Sequence, residues 1–599
     1  MKKALLLFSA IVMATSASAQ IQKGKPETWL DANGVRDLTA DSLELANTVR
    51  PVSGSSRKGN NPVLFLIGNS TMRTGTRGNG DNGQWGWGYY EREFFNSDKI
   101  TVENHALGGT SPRTFYKEPG LWKRSISGVR KGDYVFLEQG HNDSGPLDQV
   151  RARSSYRPNG KLEVAEDSTI IFNKVKNCQD TVYTFGGYTR RMINEVRALG
   201  AIPVLLTLTP RNDYEADGKT VQRKLKDFTP AIYALGKEMN VPVIDLNDIS
   251  AKKMEAYGKW KASYHFYRDK IHSSAFGAKM NAHSAALGVA ESKDPQLAEL
   301  RSFLLMDKVY PNYEAKMLSW EPVDYDKDGN AIGKPAQNSS KPRVFFCGDS
   351  TGKNTDKDPD GMWGWGSQGY TIFDSSKCTF INAAMAGRST RTFLKENRWE
   401  EVYQTLRPGD FVLLQFGHND IGDIDRGKER GVIACAKDSN RVFRSQNTGK
   451  YEVVYSFGWY LHKMIQDCKE KGATPIVLSF TPRNEWHTGT GETKGNFYMV
   501  KEKKGRQYIE RRSDNYIGEW CKQVADENGV GFVDVHNISA DVLDKLFSKS
   551  KTPQQAKEKA SEYYKKDHTH TSLKGARNNA LSVAKGLRAI NSPLAEYLK

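Results

Sequence analysis

Two serines occupy positions at which a polypeptide can present a nucleophile. Ser70 and Ser350 each come shortly after an apolar run, residues 63–67 and 344–347, and each run stops at a glycine. A short continuous apolar run is typical of a buried parallel strand, and functional groups in open α/β sheets lie just past the carboxyl ends of such strands. Both serines are therefore candidate nucleophiles, provided that each has a base and an oxyanion site.

A candidate base lies near the end of each half of the chain. His272 follows Asp269 by three residues, and His570 follows Asp567 at the same spacing. A serine hydroxyl is a poor nucleophile unless a base takes its proton. Spacing of three lets the carboxylate hold one ring nitrogen while the other faces the serine. Either pair alone is more often a surface pair, so the recurrence carries the prediction.

Candidate donors for an oxyanion also occur twice. Each site has the backbone N–H of its serine, the N–H of Gly109 or Gly387, and the side-chain amide of Asn142 or Asn419. Attack on an acyl carbonyl needs such preorganised donors, and glycine lets the oxyanion approach the backbone closely. The chemistry predicted for both halves is acyl transfer to serine.

The sequence contains an internal duplication. Six blocks occur twice in the same order, at offsets between 272 and 298 residues. A period this long indicates two domains rather than a solenoid of short repeats. The blocks begin at Gly68 and Gly348, Trp85 and Trp363, Gly109 and Gly387, Gly140 and Gly417, Thr209 and Thr481, and Asp269 and Asp567.

Strand and helix patterns alternate between these blocks. A helix is predicted at 188–199, where apolar residues recur at helical spacing. Alternating β and α elements imply a parallel sheet with helices on both faces, an α/β fold. Strands are predicted at 63–67, 100–103, 134–137, 203–208 and 241–246, and in the second copy at 344–347, 379–381, 411–416, 475–480 and 531–535.

The same pattern predicts the domain organisation. Residues 1–19 have the charged start, apolar core and small-residue end of a secretory signal. No other stretch is apolar over a membrane-spanning length, so we expect an exported protein, periplasmic or secreted, without membrane insertion. After the signal we predict a lead-in at 20–60, domain 1 at 61–290, a linker at 291–340 and domain 2 at 341–599.

The formal net charge of +17 favours a polyanionic partner. Nucleic acid is excluded as the expected partner, because the chain is predicted to be exported and shows no nucleic-acid-binding signature. An acidic polysaccharide fits that compartment better, and a generally basic solvated surface is the alternative. Six cysteines, five of them in the second half, are too unevenly spread for a disulfide framework. The sequence predicts no oligomeric state.

These blocks resemble the SGNH (GDSL) hydrolase superfamily. Within it, Gly-Asp-Ser-Thr, Gly-Trp-Gly and Gly-His-Asn-Asp are similar to motifs of rhamnogalacturonan acetylesterases, and residues 382–391 match closely. The resemblance implies two tandem flavodoxin-like three-layer α/β/α domains with Ser-His-Asp triads, removal of acetyl groups from pectin, and neither a metal nor an organic cofactor. Deacetylation of xylan or another neutral glycan is the alternative within the enzymes.

The first domain departs from the family pattern at two positions. Asn69 replaces the Asp before the nucleophile, and Thr110 replaces the Arg that follows Gly387 in the second copy. Asn69 still hydrogen-bonds locally but carries no charge. Activity of the first domain is therefore expected from its triad, with a non-catalytic carbohydrate-binding module as the alternative.

Several further residues are candidates for contacts with the sugar. Arg113 and Arg391 lie in the oxyanion block, where a guanidinium group suits a galacturonate carboxylate. Tryptophans of the Gly-Trp-Gly blocks present apolar faces, although packing is the alternative for most of them. The complete set predicted to bind substrate is Arg391, Arg113, Trp363, Trp85, Trp486 and His487.

Two acidic runs, 324–329 and 356–361, resemble the start of a calcium loop. Neither has Glu at the twelfth position, where Pro335 and Ser367 stand. Solvated turns are the preferred interpretation, and no metal site is predicted.

Overall fold

The computed structural model describes residues 50–599 except 76–77, 119, 224, 226, 319–323, 326–330, 334–339, 487–498, 505–506, 513–515 and 548. The chain forms two compact units that divide between Pro311 and Asn312, with the short segment Val442–Val453 grouped with the first. The predicted signal, most of the predicted lead-in and His487 lie outside the described residues. Within them, no helix is long and apolar enough to cross a membrane.

The first domain is built on a five-stranded sheet of order β2-β1-β3-β6-β7, in which every pairing is parallel. This is the flavodoxin-like order, which places the end of β1 at the switch point of the sheet. An antiparallel hairpin, β4–β5, lies apart from it. The strands are β1 Val63–Gly68, β2 Thr101–Asn104, β3 Tyr134–Glu138, β4 Ser168–Asn173, β5 Cys178–Tyr183, β6 Ile202–Leu206 and β7 Val243–Ile244.

Alternate residues of β1 face two separate apolar cores. Phe65 belongs to one core with Trp122 and Ile193, and Leu66 belongs to the other with Trp87. Both faces of the sheet are therefore covered by helices, as predicted for a three-layer domain. The helices are Pro112–Lys117, Leu121–Ile126, Phe185–Ala198, Phe228–Met239, Leu246–Ser263, Ala275–Glu291, Ala298–Ser302 and Met306–Val309, with short 3-10 turns at Trp87–Tyr89, Glu91–Phe94, Pro158–Gly160 and Pro295–Leu297.

Most of the predicted linker packs into one of the domains. Leu300 and Val309 are buried in the core of the first domain, which therefore extends beyond residue 290. Tyr313–Leu318 belongs to the second unit, where Glu314 pairs with Arg407. At the other end, Arg57 of the predicted lead-in pairs with buried Asp133 at 2.6 Å. Apolar burial thus extends the first domain past its predicted C-terminal boundary, and a buried ion pair extends it past the N-terminal one.

The second domain repeats the architecture, with the sheet order β11-β10-β12-β15-β18 and parallel pairing throughout. The strands of this half of the chain, in order, are β8 Asp324–Tyr325, β9 Ala331–Gly333, β10 Arg343–Gly348, β11 Thr379–Asn382, β12 Phe411–Gln415, β13 Asn440–Arg444, β14 Tyr451–Tyr455, β15 Thr474–Leu478, β16 Met499–Lys504, β17 Gln507–Arg512 and β18 Gly531–Val533. The antiparallel hairpins are β8–β9, β13–β14 and β16–β17.

Helices again cover the sheet. Val344 and Phe346 of β10 face a core with Leu587 of the last helix, while Phe345 and Cys347 are also fully buried. The helices are Ser350–Lys353, Thr390–Lys395, Arg398–Thr405, Phe457–Glu470, Tyr516–Glu527, Val535–Phe547, Pro553–Lys559 and Leu573–Ala589, with 3-10 turns at Trp365–Thr371, Ala560–Glu562 and Pro593–Tyr597. The predicted fold class is confirmed for both domains.

Candidate active site

The nucleophile position in the second domain is set by the end of β10. Gly348 ends the strand, and Ser350 begins the one-turn helix Ser350–Lys353. Asp349 caps this helix, because its side chain accepts a hydrogen bond from the N–H of Thr351 at 2.9 Å. The Ser350 side chain is thereby presented, partly exposed, beyond the carboxyl edge of the sheet.

The structure brings the three predicted triad residues of the second domain together. His570 Nε2 lies 2.8 Å from Ser350 Oγ, and His570 Nδ1 lies 2.7 Å from Asp567 Oδ2. The carboxylate therefore orients the ring so that the other nitrogen faces the hydroxyl. This geometry allows the imidazole to take the hydroxyl proton as the oxygen attacks a carbonyl carbon.

The first domain holds the same arrangement at the same distances. Ser70 Oγ lies 2.8 Å from His272 Nε2, and His272 Nδ1 lies 2.7 Å from Asp269 Oδ2. Asn69 in place of Asp before the nucleophile has not altered these contacts. The two halves of the chain therefore carry equivalent triads.

The triad carboxylates also fix the turn that carries the histidines. Asp567 Oδ1 accepts hydrogen bonds from the backbone N–H groups of Thr569 and His570, each at 2.7 Å. Burial alone would raise the pKa of Asp567, but the hydrogen bonds from the His570 backbone and ring outweigh it and hold the pKa below its usual value. Asp269 behaves in the same way toward His272, with a lowered pKa. Both carboxylates are anionic at neutral pH.

The predicted oxyanion glycines adopt the left-handed conformation. Gly109 has φ of 80° and Gly387 has φ of 75°, which residues with a Cβ rarely adopt. A side chain at Gly387 would also meet the guanidinium group of Arg430. Backbone geometry therefore favours glycine at both positions, and in the second domain a Cβ would also displace the end of the Arg430 side chain.

The predicted oxyanion asparagines are held by neighbouring loops. Asn142 Nδ2 donates to the carbonyl oxygen of Thr110 at 3.1 Å. Asn419 Nδ2 donates to the carbonyl oxygen of Arg388 at 3.2 Å and lies 3.4 Å from Asp349 Oδ2. The amide and the oxyanion glycine thus belong to adjacent loops at one edge of each sheet.

Arg430 is a site residue that the sequence interpretation missed. It donates to Asn419 Oδ1 at 3.0 Å, on the opposite side of the amide from the donor nitrogen. Its counterpart in the first domain is Arg153, eleven residues after Asn142, and this arginine donates to the carbonyl oxygen of Gly109 at 3.4 Å. The equal spacing of these arginines after Gly-His-Asn-Asp was the available sequence signal.

Each site has one buried acid beneath it, but the acid comes from a different position in the two domains. Below the first site, Glu138 ends β3 and is fully buried, and Asn69 precedes the nucleophile. Below the second, Gln415 ends β12 and Asp349 precedes the nucleophile. The acid and amide positions are thus exchanged between the domains, and each keeps one acid in this pair.

Glu138 connects three elements of the first site. Its carboxylate accepts hydrogen bonds from Thr71 Oγ at 3.2 Å, from the Trp87 indole at 2.9 Å and from the Thr209 N–H at 3.1 Å. In the second domain, Gln415 accepts from the Trp365 indole at 2.7 Å. Either side chain ties the Gly-Trp-Gly block to the strand below the nucleophile.

The two arginines predicted to contact substrate lie inside their domains. Arg113 is 2% exposed and pairs with Asp180 at 2.6 Å, and Arg391 is 3% exposed and donates to the carbonyl oxygens of Ile424 and Gly431. A polymer cannot reach groups buried to this degree. The prediction that Arg113 and Arg391 bind a galacturonate carboxylate is therefore wrong on geometric grounds.

The predicted tryptophans are also largely buried. Trp85 packs against Tyr90 in the core of the first domain that also contains Leu66. Trp486 packs in a small cluster with Phe547. Packing, the alternative interpretation, accounts for these two, and they are not placed to bind substrate. Trp363 is 9% exposed and lines a surface cavity. His487 lies outside the described residues.

The second acidic run forms a turn. Asp358 Oδ1 accepts hydrogen bonds from the N–H groups of Asp360 and Met362, and Asp360 pairs with Lys566 at 2.8 Å. In the first run, Asp326 and Asp328 lie outside the described residues. No cluster of three or more potential metal ligands occurs in the described part of the chain.

Comparison with known proteins agrees with this geometry. The family model described as GDSL-like lipase/acylhydrolase matches residues 64–285, and the related model described as GDSL-like lipase/acylhydrolase family matches residues 346–577. The two matches cover the two domains, and each includes one serine and one histidine of the triads.

Each individual relative aligns with a stretch of the chain about as long as one domain. A rhamnogalacturonan acetylesterase of Emericella nidulans is 27% identical over 39% of this chain and 79% of its own length. A probable rhamnogalacturonan acetylesterase of Bacillus subtilis, YesY, is 27% identical over 43% and 96%. The structure of an acetylxylan esterase from Geobacillus stearothermophilus, Axe2, is 18% identical over 42% of this chain and 94% of its own, with a TM-score of 0.27. The chain belongs to the GDSL-like lipase/acylhydrolase family of carboxylic ester hydrolases and carries two of its domains in tandem.

Proposed function

We propose that both domains are serine acetylesterases that remove O-acetyl groups from an acidic polysaccharide, most simply rhamnogalacturonan. The observation that carries the proposal is the pair of hydrogen-bonded triads, each with an oxyanion glycine and asparagine at the carboxyl edge of a sheet. Two relatives to which the chain is similar are named for this substrate.

In the proposed reaction, Ser350 Oγ attacks the acetyl carbonyl carbon while His570 Nε2 takes the hydroxyl proton. The carbonyl oxygen becomes an oxyanion that accepts hydrogen bonds from the N–H groups of Ser350 and Gly387 and the amide of Asn419. The C–O bond to the sugar then breaks as the imidazolium returns the proton to the sugar oxygen. Water, deprotonated by His570, hydrolyses the acetyl-enzyme to acetate. Ser70, His272 and Asp269 act correspondingly, with Gly109 and Asn142 as donors.

The acidic character of the substrate is supported by cations beside the second site. Arg388 follows the oxyanion glycine and pairs with Glu396 at 2.9 Å, and Arg430 lies against both Gly387 and Asn419. Both guanidinium groups are partly exposed, and this group is suited to bind a uronate carboxylate. These two arginines replace Arg391 and Arg113 as the proposed carboxylate-binding groups.

Acetate release from acetylated rhamnogalacturonan by the wild type, Ser70→Ala, Ser350→Ala and the double variant tests the chemistry. Two active sites require that each single variant retains activity and that the double variant has none. If Ser350→Ala alone abolished release while a serine-directed fluorophosphonate left Ser70 unlabelled, the first domain would be a binding module. No release by the wild type would contradict the pectin substrate.

Comparing acetylated xylan with acetylated rhamnogalacturonan as substrates distinguishes the neutral-glycan alternative from the proposed acidic substrate. Binding to an acidic polymer weakens as ionic strength rises, whereas binding to xylan does not depend on these charges. A KM that is independent of salt, together with faster release from xylan, would favour that alternative. We also propose export to the periplasm or beyond, because a polysaccharide substrate is encountered outside the cytoplasm.

A further inference from the structure

A surface cavity of about 550 Å³ lies in the second domain, outside the triad. Lys565, Lys574 and Arg577 line it, together with Glu562 and Trp363. Lys574 pairs with Glu562 at 2.6 Å, and the wall as a whole carries three cations and one carboxylate. The cavity is therefore positively charged and has an indole at its surface.

The cavity shares its wall with the loop that carries the catalytic histidine. The Lys565 N–H donates to the His570 carbonyl oxygen at 3.0 Å. Trp363 N–H donates to the carbonyl oxygen of Thr571 at 2.8 Å, and Thr571 Oγ donates to the Trp363 carbonyl oxygen at 2.7 Å. A sugar unit held here would adjoin the loop on which His570 stands.

The lining has the chemistry of a site for an anionic sugar. Ammonium and guanidinium groups make charge-assisted hydrogen bonds to carboxylates, and the edge of an indole gives an apolar surface beside a polar group. Lys565 and Lys574 are exposed, so a ligand can reach them without rearrangement of the domain. A neutral sugar could accept hydrogen bonds from these groups but would lack the charge–charge attraction.

The first domain has aromatic residues at two of the three cationic positions of this lining. At the positions of Lys565 and Lys574 it has Tyr267 and Phe276, counted from the triad histidines. The structure supports the equivalence, because a Cβ at Gly83 would meet the Tyr267 hydroxyl, whereas a Cβ at Gly361 would meet the end of Lys565. Tyr267 is buried. Arg577 corresponds to Lys279, so one cation occurs in both domains, whereas the two lysines are a property of the second domain.

We propose that this cavity is a subsite for a uronate unit of the polymer whose acetyl group Ser350 removes. The subsite rests on the proposed function for its place in the reaction, but its ligand chemistry can be tested without turnover. It would hold the second site on acidic stretches of the polysaccharide and give it a substrate preference that the first domain lacks.

The test is binding of unesterified trigalacturonate to the full chain carrying Ser70→Ala and Ser350→Ala, measured by titration calorimetry. Adding Lys565→Glu and Lys574→Glu is expected to weaken binding about tenfold or more, since charge-assisted contacts become repulsive. Lys565→Tyr, which installs the residue of the first domain, is expected to weaken it as well. Lys522→Glu is the matched control, since Lys522 is exposed and pairs with Asp526.

Unchanged trigalacturonate affinity in both lysine variants, with a native thermal unfolding midpoint, would overturn the subsite. Equal weakening by Lys522→Glu would also overturn it, because the effect would then belong to general surface charge. Failure of the proposed function is distinguishable: the Ser70→Ala chain would release no acetate from the polymer, while binding and its loss in the lysine variants would remain.

Discussion

Arg430 donates a hydrogen bond to the side-chain oxygen of Asn419 at 3.0 Å, on the far side of the amide whose N–H is proposed to bind the oxyanion. A cation at the amide oxygen draws electron density from the amide and makes its N–H a stronger donor. In the first domain the corresponding Arg153 donates to the carbonyl oxygen of Gly109 instead. The asparagines of the two proposed oxyanion sites therefore have different neighbours.

We expect Arg430→Gln to lower kcat of the second site about tenfold, which corresponds to 1.4 kcal/mol of transition-state stabilisation. The measurement uses p-nitrophenyl acetate and the Ser70→Ala background, because a neutral ester isolates the effect on Asn419 from any effect on polymer binding. Arg153→Gln in the Ser350→Ala background is the matched control and should change kcat less. Equal losses in the two variants would contradict a special role for Arg430.

Removing an oxyanion amide should cost more than removing its support. Asn419→Ala is expected to lower kcat of the second site about 10²–10³-fold, as for other oxyanion donors. Asn142→Ala should do the same at the first site, measured in the Ser350→Ala background. A loss below tenfold at either site would remove that asparagine from the proposed oxyanion hole.

The exchange of buried acid and amide predicts compensation. Thr71 Oγ lies 3.0 Å from Asn69 Oδ1 and 3.2 Å from Glu138 Oε1, so Asn69→Asp would place a second acid beside the same hydroxyl. We expect this variant to lower the thermal unfolding midpoint and the activity of the Ser70 site. Glu138→Gln added to it recreates the pattern of the second domain and should restore both.

The restoration is a coupling free energy, which for residues that share a partner is about 0.5–3 kcal/mol. It is obtained from the unfolding of wild type, both single variants and the double variant, all in the full chain. If the changes in unfolding free energy of the two single variants simply added in the double variant, Asn69 and Glu138 would be independent.

Arg113 should act on stability. Arg113→Ala removes one of two cations from the buried carboxylate of Asp180, which keeps Lys117 as its partner, and leaves the carbonyl oxygens of Leu147 and Ser154 without this donor. Leaving buried acceptors without a donor costs about 1–3 kcal/mol, so this variant is expected to lower the free energy of unfolding of the first domain by about that amount in urea. Arg151→Ala, at an exposed arginine of the same domain, should change it little. If Arg113→Ala instead unfolded like the wild type and had a raised KM, Arg113 would contribute to substrate binding.

Asp420 should make the second domain less stable as pH rises. Burial, with a smaller contribution from Asp349, raises the pKa of Asp420 from its ordinary 3.8 to about 7. The folded domain therefore holds a proton that the unfolded chain has released between these values, and stability declines from about pH 4 to about pH 7. Asp420→Asn should flatten this part of the midpoint-against-pH curve. Asp526→Asn, at an exposed position, should not, and unchanged slopes in Asp420→Asn would disprove the shift.

The sequence by itself determined the duplication, the α/β class and both triads. Ser70, His272 and Asp269 could be predicted because each lies in a short block whose spacing is fixed by one turn or one strand end. The strands of both central sheets could be found for a similar reason: a strand buried on both faces, such as Val63–Gly68, is apolar at nearly every position.

Tertiary structure alone decided which side chains other than the triads reach the sites. Arg391 and Arg430 are both arginines near an oxyanion loop, yet the first is buried against backbone carbonyls and the second touches Asn419. Likewise, Glu138 and Asn69 are 69 residues apart in the sequence, and their exchange with Gln415 and Asp349 has meaning only because parallel pairing sets their strand ends side by side. Burial and cross-strand proximity arise from packing between distant segments, which local spacing does not encode.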